Sequence, residues 1–236
     1  MKAFHGDPAI KEKYLARLKA HHEADEIIQG TGWENGRGCA VGCTLNNYSH
    51  VAYETELGLP EWLAYLEDRI FEWLPAVEAK QFAVDFLNAV PVGADVSEVR
   101  FKLAAQRLKR ERPRQATNPA EYAEKCVLAI DLVIAYCENV GRTEEQGSAA
   151  RLAARSAESA AWRAAESAAR SAAWSAAAAA AWSAAAWSAA AARLAAASAA
   201  SVSVSAWSAA AESAAHFEWE AETLLNLLRN APQAAE

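Results

Sequence analysis

Two pairs in this chain set an imidazole one helical turn from a carboxylate, His21 with Asp25 and His50 with Glu54. On a helix, i and i+4 side chains are neighbours, so the acid can orient the ring as a general base or share a metal with it. Between the pairs lie two thiols, Cys39 and Cys43, in a segment where five of the ten glycines fall between Gly30 and Gly42. Glycine concentrates where the backbone turns sharply or comes close to something. Thiol, imidazole and carboxylate together are the set of a cysteine nucleophile with a histidine base and an orienting acid. On that reading Cys39 or Cys43 attacks, His50 or His21 is the base, and Glu54 and Asp25 orient the rings. Trp33, Asn35 and Arg37 precede the thiols and offer a stacking surface, an amide and a positive charge for a small polar or anionic ligand. Zinc held by the two cysteines and one or two histidines is a second reading, although Cys-x3-Cys is unlike the usual two-residue knuckle. The third is structural, with satisfied polar pairs on helices and small apolar thiols beside a tight turn.

The elements that must position these groups read as helices. Asp7-Pro8 is an N-cap followed by a first-turn proline, and Gly30 is a stop signal, so a first helix carries Ile10, Tyr14, Leu18, His21, Asp25 and Ile28 on one side. The glycine-rich loop spans about 30–48, and strands are expected nowhere else in the N-terminal part. Ser49 opens a short helix ending near Gly58. Pro60 opens another with Leu63, Leu66, Ile70 and Trp73 at helical spacing, and a further helix runs from about Ala76 to Val90. Asp95 and Glu98 suit a capping box. Arg110 to Pro119, basic with two prolines, reads as a linker or exposed loop, and Pro119 to Val140 as a central helix apolar on almost every side, with Cys126 and Cys137 as core thiols.

Composition changes near residue 145. Between Ser148 and His216 there are 37 alanines and 14 serines in 69 residues and no Gly or Pro, so helix is the local expectation. The Ser-Ala-Ala-x unit has a period of four, and four residues advance about 400°. Its tryptophans, among them Trp162, Trp174, Trp182, Trp187, Trp207 and Trp219, therefore spread around the axis. Such a segment folds back near Ser198 to Ser205 or meets neighbours on several sides. The expectation is an all-α protein, with a helical bundle over residues 1–145 and an Ala-rich helical extension over 146–236.

The formal charge of −7 argues against nucleic acid as a partner. Four cysteines are too few for a disulfide scaffold and suit a cytoplasmic setting. Ser171 to Ala192 is uncharged over a membrane-spanning length, but Ala and Ser contribute little to insertion, so no membrane span is expected.

The segments Gly38-Cys39-Ala40-Val41-Gly42-Cys43-Thr44, Tyr53-Glu54, Leu57-Gly58-Leu59-Pro60-Glu61-Trp62-Leu63, Leu66-Glu67-Asp68 and Pro91-Val92-Gly93-Ala94-Asp95 resemble a family of uncharacterised bacterial and phage proteins. The likeness covers roughly Gly6 to Asp95, and members often carry a Ser-Ala-Ala-Trp tail. It implies a bacterial or phage cytosolic setting and no reaction. Two functions remain open. One is a binding or hydrolase-like site for a small polar or anionic molecule at the Gly30–Thr44 loop. The other is a non-catalytic assembly protein forming homo-oligomers through its Trp/Ala tail.

Overall fold

The computed structural model describes residues 1–118, 123–139, 141–164 and 206–235. The fold is all-α, with α1 (Pro8–Glu23), α2 (Ala40–Leu45), α3 (Ala52–Leu57), α4 (Glu61–Trp73), α5 (Ala76–Ala89), α6 (Val99–Ala116), α7 (Ala123–Glu138), α8 (Glu144–Ala164) and α9 (Ala206–Arg229). A hairpin of β1 (Trp33–Glu34) and β2 (Arg37–Gly38) is the one sheet among the described residues. By contacts the chain divides into Met1–Val99 with Val202–Glu236, and Arg100–Ser201. The end of the chain thus groups with its beginning, where composition alone suggested a division near residue 145.

In the first unit, α1 packs on α2 and α5, and α4 lies against α2, α5 and α9. Leu18, Ile27, Val41, Tyr53, Leu63, Ile70, Phe86 and Leu224 are fully buried between them. Local chemistry sets the entries and exits. The Asp7 carboxylate accepts from the Ala9 amide at 2.8 Å, with Pro8 in the first turn of α1. Both ends of the chain are tied to the turn after α5: Ala3 exchanges hydrogen bonds with Gly93 and Ala94, and the Asp95 amide bonds the Pro232 carbonyl at 2.7 Å. Asp95 closes a local turn by accepting from Ser97 at 2.9 Å. Helix α6 begins at Val99.

Helix α9 is fastened to α4. Glu220 is fully buried and pairs with Arg69 and, at 3.5 Å, with His216, while Phe217 stacks on Trp73 at 5.6 Å. This part of the alanine-rich tail completes the first unit.

In the second unit, Phe101, Ala105, Leu108, Ile130, Val133, Cys137, Ala150 and Ala154 from α6, α7 and α8 form one core. The stretch expected as a basic linker is the end of α6, which continues through Pro113 to Ala116. Pro113 sits in its last turn. The Thr117 hydroxyl bonds the carbonyls of Pro113 and Arg114 there, and Arg112 holds Asp131 of α7 through two nitrogens. Helix α7 is not apolar-covered all round, since Leu128 and Leu132 are exposed. Cys126 and Cys137 are buried free thiols.

The uncharged stretch Ser171 to Ala192, the fold-back near Ser198 to Ser205 and the register of Trp174, Trp182 and Trp187 lie outside the described residues. No described helix is long and apolar enough to cross a membrane.

Candidate functional site

The glycine-rich segment is shaped by its own backbone. Asn35 (φ 51°) and Gly36 (φ 81°) are both left-handed, the requirement of a two-residue turn between twisted strands. Beyond β2, the Cys39 amide bonds the carbonyls of Thr31 and Gly32 at 2.7 and 3.1 Å, and its sulfur accepts from Gly42 at 3.5 Å to cap α2. The Gly32 carbonyl oxygen is wedged against Gly38 and Gly42, where a Cβ would come within 2.2 and 1.9 Å of it. The close approach that glycine permits here is chain on chain. Asn35 and Arg37 are exposed at the hairpin tip, while Trp33 is half-buried, edge-on to His21 at 5.4 Å.

His21 and Asp25 do not pair. Helix α1 stops at Glu23 and Asp25 turns left-handed (φ 57°), which breaks the i, i+4 relation and sends its exposed carboxylate to Lys80. The chain then runs extended so that Ile28 and Glu26 exchange backbone hydrogen bonds with Gly38. His21 takes Glu26 as its partner at Nδ1 (2.6 Å) and Asn46 at Nε2 (2.9 Å). With both nitrogens engaged in hydrogen bonds, it ties α1 to the end of α2.

His50 and Glu54 do not pair either. Helix α3 begins at Ala52, and the Glu54 carboxylate turns to the amide of Glu61 at 3.1 Å. The acid that meets His50 comes from α4: Asp68 Oδ2 lies 3.1 Å from His50 Nε2 and accepts from the Tyr48 hydroxyl at 2.8 Å. Burial pushes Asp68 up. Its hydrogen bond from His50, the Cys39 thiol alongside and the Tyr48 hydroxyl more than offset that and hold it below the usual carboxylate range. A charged carboxylate only accepts, so the neutral form of His50 carries its proton on Nε2 and has its lone pair on Nδ1. Among the described residues nothing hydrogen-bonds to Nδ1. The ring stacks on Tyr65 at 3.9 Å and meets Tyr48 edge-on at 4.9 Å, and both tyrosines are exposed, 42% and 47%.

Asp68 was not among the residues singled out from sequence, yet a signal exists. At about 100° per residue, Glu61, Tyr65, Asp68 and Glu72 fall within about 60° on α4, a polar stripe on the side of the helix opposite Leu63, Leu66 and Ile70. Glu72 accepts from the Gly30 amide at 2.8 Å, fixing the start of the loop to this stripe.

Both thiols are buried and free. Burial and then the Asp68 charge push Cys39 far above an ordinary thiol, and burial raises Cys43 to about 11. Cys43 donates to the carbonyls of Gly38 (3.3 Å) and Glu26 (3.7 Å). Among the described residues no imidazole hydrogen-bonds to either sulfur. Nor do the described residues bring three or more His, Cys, Asp or Glu side chains together as a metal-binding group. The expected set of Cys39, Cys43 and histidines is divided among other partners.

Behind Asp68, Glu67 is fully buried. The Tyr53 hydroxyl donates to its Oε2 at 2.6 Å, and Oε1 has no hydrogen-bond partner among the described residues. Burial drives this acid well above its ordinary 4.5 and so favours its neutral form in the folded protein. A raised carboxyl favours the native state fully below the unfolded value. That contribution is lost as pH rises from about 4.5 toward the native value, at up to about 1.4 kcal/mol per pH unit. Glu67→Gln is expected to remove this slope in urea melts taken between pH 5 and 8, while the opposite, acid-side loss through Asp68 remains.

No protein-family model matches this chain, and no curated protein or solved structure does so either.

Proposed function

We propose that this protein binds a small polar molecule at the His50–Asp68 pair and acts on it in a hydrolase-like way, with His50 as general base. One observation carries the reading. A largely buried, charged carboxylate fixes His50 through Nε2 and leaves Nδ1 without a partner among the described residues, between two exposed tyrosines. In that role Nδ1 takes a proton from water as the water oxygen attacks an ester or amide carbonyl. The imidazolium, stabilised by Asp68, then returns the proton to the leaving oxygen or nitrogen. Tyr48 positions Asp68, and the Cys39 thiol stays protonated beside it. Four free cysteines suit a reducing cytoplasmic setting, in keeping with the likeness to bacterial and phage proteins.

Hydrolysis of p-nitrophenyl acetate tests the reading. The protein is expected to exceed an equal concentration of free imidazole by about 100-fold, the scale of a positioned general base. His50→Ala should fall to the background rate, and Cys43→Ala should keep the rate. A rate that survives His50→Ala rules the reading out.

A further inference from the structure

We propose that the molecule bound at His50 carries an alkylammonium group, held by the rings of Tyr48 and Tyr65 against the carboxylate stripe of α4. This inference rests on the binding reading above and names the class of its ligand. The first support is the arrangement of rings. One face of Tyr65 is covered by His50 at 3.9 Å and Tyr48 meets the same imidazole edge-on at 4.9 Å, yet the two tyrosines stay 42% and 47% exposed. Aromatic rings present negative faces, and pairs of them are well suited to a weakly hydrated cation.

The second support is charge. Glu61, Asp68 and Glu72 share one side of α4 with Tyr65. Burial is the first cause that raises both phenols, and the acids add to it: Glu61 and Asp68 at Tyr65, Asp68 and Glu72 at Tyr48. Three basic side chains on adjoining elements are engaged elsewhere. Arg69 pairs with Glu220, Lys80 with Asp25, and Arg17 donates to the Thr44 carbonyl at 3.0 Å. An anion arriving at His50 would meet carboxylates, whereas an ammonium group would meet carboxylates and π-faces together.

The probes are choline chloride, its uncharged isostere 3,3-dimethylbutan-1-ol, and sodium acetate, each titrated into the full chain while the His50 ring resonances are followed by NMR. Choline is expected to bind at least about tenfold more tightly than the isostere, to weaken as salt rises, and to lose at least about fivefold in affinity in Tyr65→Leu. Glu61→Gln gives a second reading should Tyr65→Leu misfold, and is expected to weaken choline but leave the isostere unchanged. Equal binding of the isostere, preference for acetate, or silence from all three overturns the inference. Ester hydrolysis by the same sample separates the two claims. Hydrolysis without a choline preference removes the ammonium class alone, and loss of both removes the general-base reading as well.

Discussion

Gly42→Ala is expected to destabilise the first unit by about 3 kcal/mol or more, seen as a fall in Tm of about 10 °C. Elsewhere in a helix this substitution stabilises, because alanine is the better helix former. Here the added methyl would come within 1.9 Å of the Gly32 carbonyl oxygen, which itself accepts from the Cys39 amide. Both partners are backbone, so neither moves by changing rotamer. Relief requires lifting the β1–β2 hairpin away from α2, breaking the Cys39 hydrogen bonds and shifting the ring of Tyr48, which packs against Gly32. Stability and site geometry should therefore fail together. A Gly42→Ala protein as stable as wild type would show that the wedge against Gly32 does not hold this loop.

Arg69→Ala is expected to cost about 3–5 kcal/mol at neutral pH, since it leaves the fully buried Glu220 without its guanidinium. His216 at 3.5 Å compensates only when it is protonated. Replacing both partners with apolar residues, Arg69→Met with Glu220→Leu, should recover most of the stability, because the cost lies in the buried charge left behind and not in the missing attraction. Urea melts of the single and double variants at neutral pH measure both effects. A single variant whose loss is small would mean that Glu220 is not held as a buried charge.

Sequence periodicity carried the helices well where the chain is locally consistent. Asp7-Pro8 opens α1, and Leu63, Leu66 and Ile70 bury one side of α4. The failures have local physical causes. The face that joined His21 to Asp25 assumed a helix running on to Gly30. It ends at Glu23 because Asp25, which is not a glycine, takes the left-handed conformation and frees Glu26 to pair with Gly38. Pro113 misled in the other direction, since a proline in the last turn leaves enough of the hydrogen-bond ladder for α6 to continue. For the site, His50 and Cys39 were visible as chemical types, but the acid was not. Glu54 is the neighbour along the chain and Asp68 the neighbour in space, an alignment set by α4 packing on α2 and α3. The stripe of Glu61, Tyr65, Asp68 and Glu72 could have pointed to it. Nothing in local spacing says which stripe faces an imidazole.

The orientation of His50 is the claim on which the functional reading turns, and the tautomer of its ring tests that claim most directly. In a protein labelled with nitrogen-15 at histidine, two-bond proton–nitrogen correlations distinguish Nε2–H from Nδ1–H in the neutral ring. The His50–Asp68 hydrogen bond predicts the Nε2–H form in the wild type, with the preference lost in Asp68→Ala. A His50 ring found as Nδ1–H, or one whose tautomer is indifferent to Asp68, would contradict the arrangement and leave the protein without an oriented base at this site.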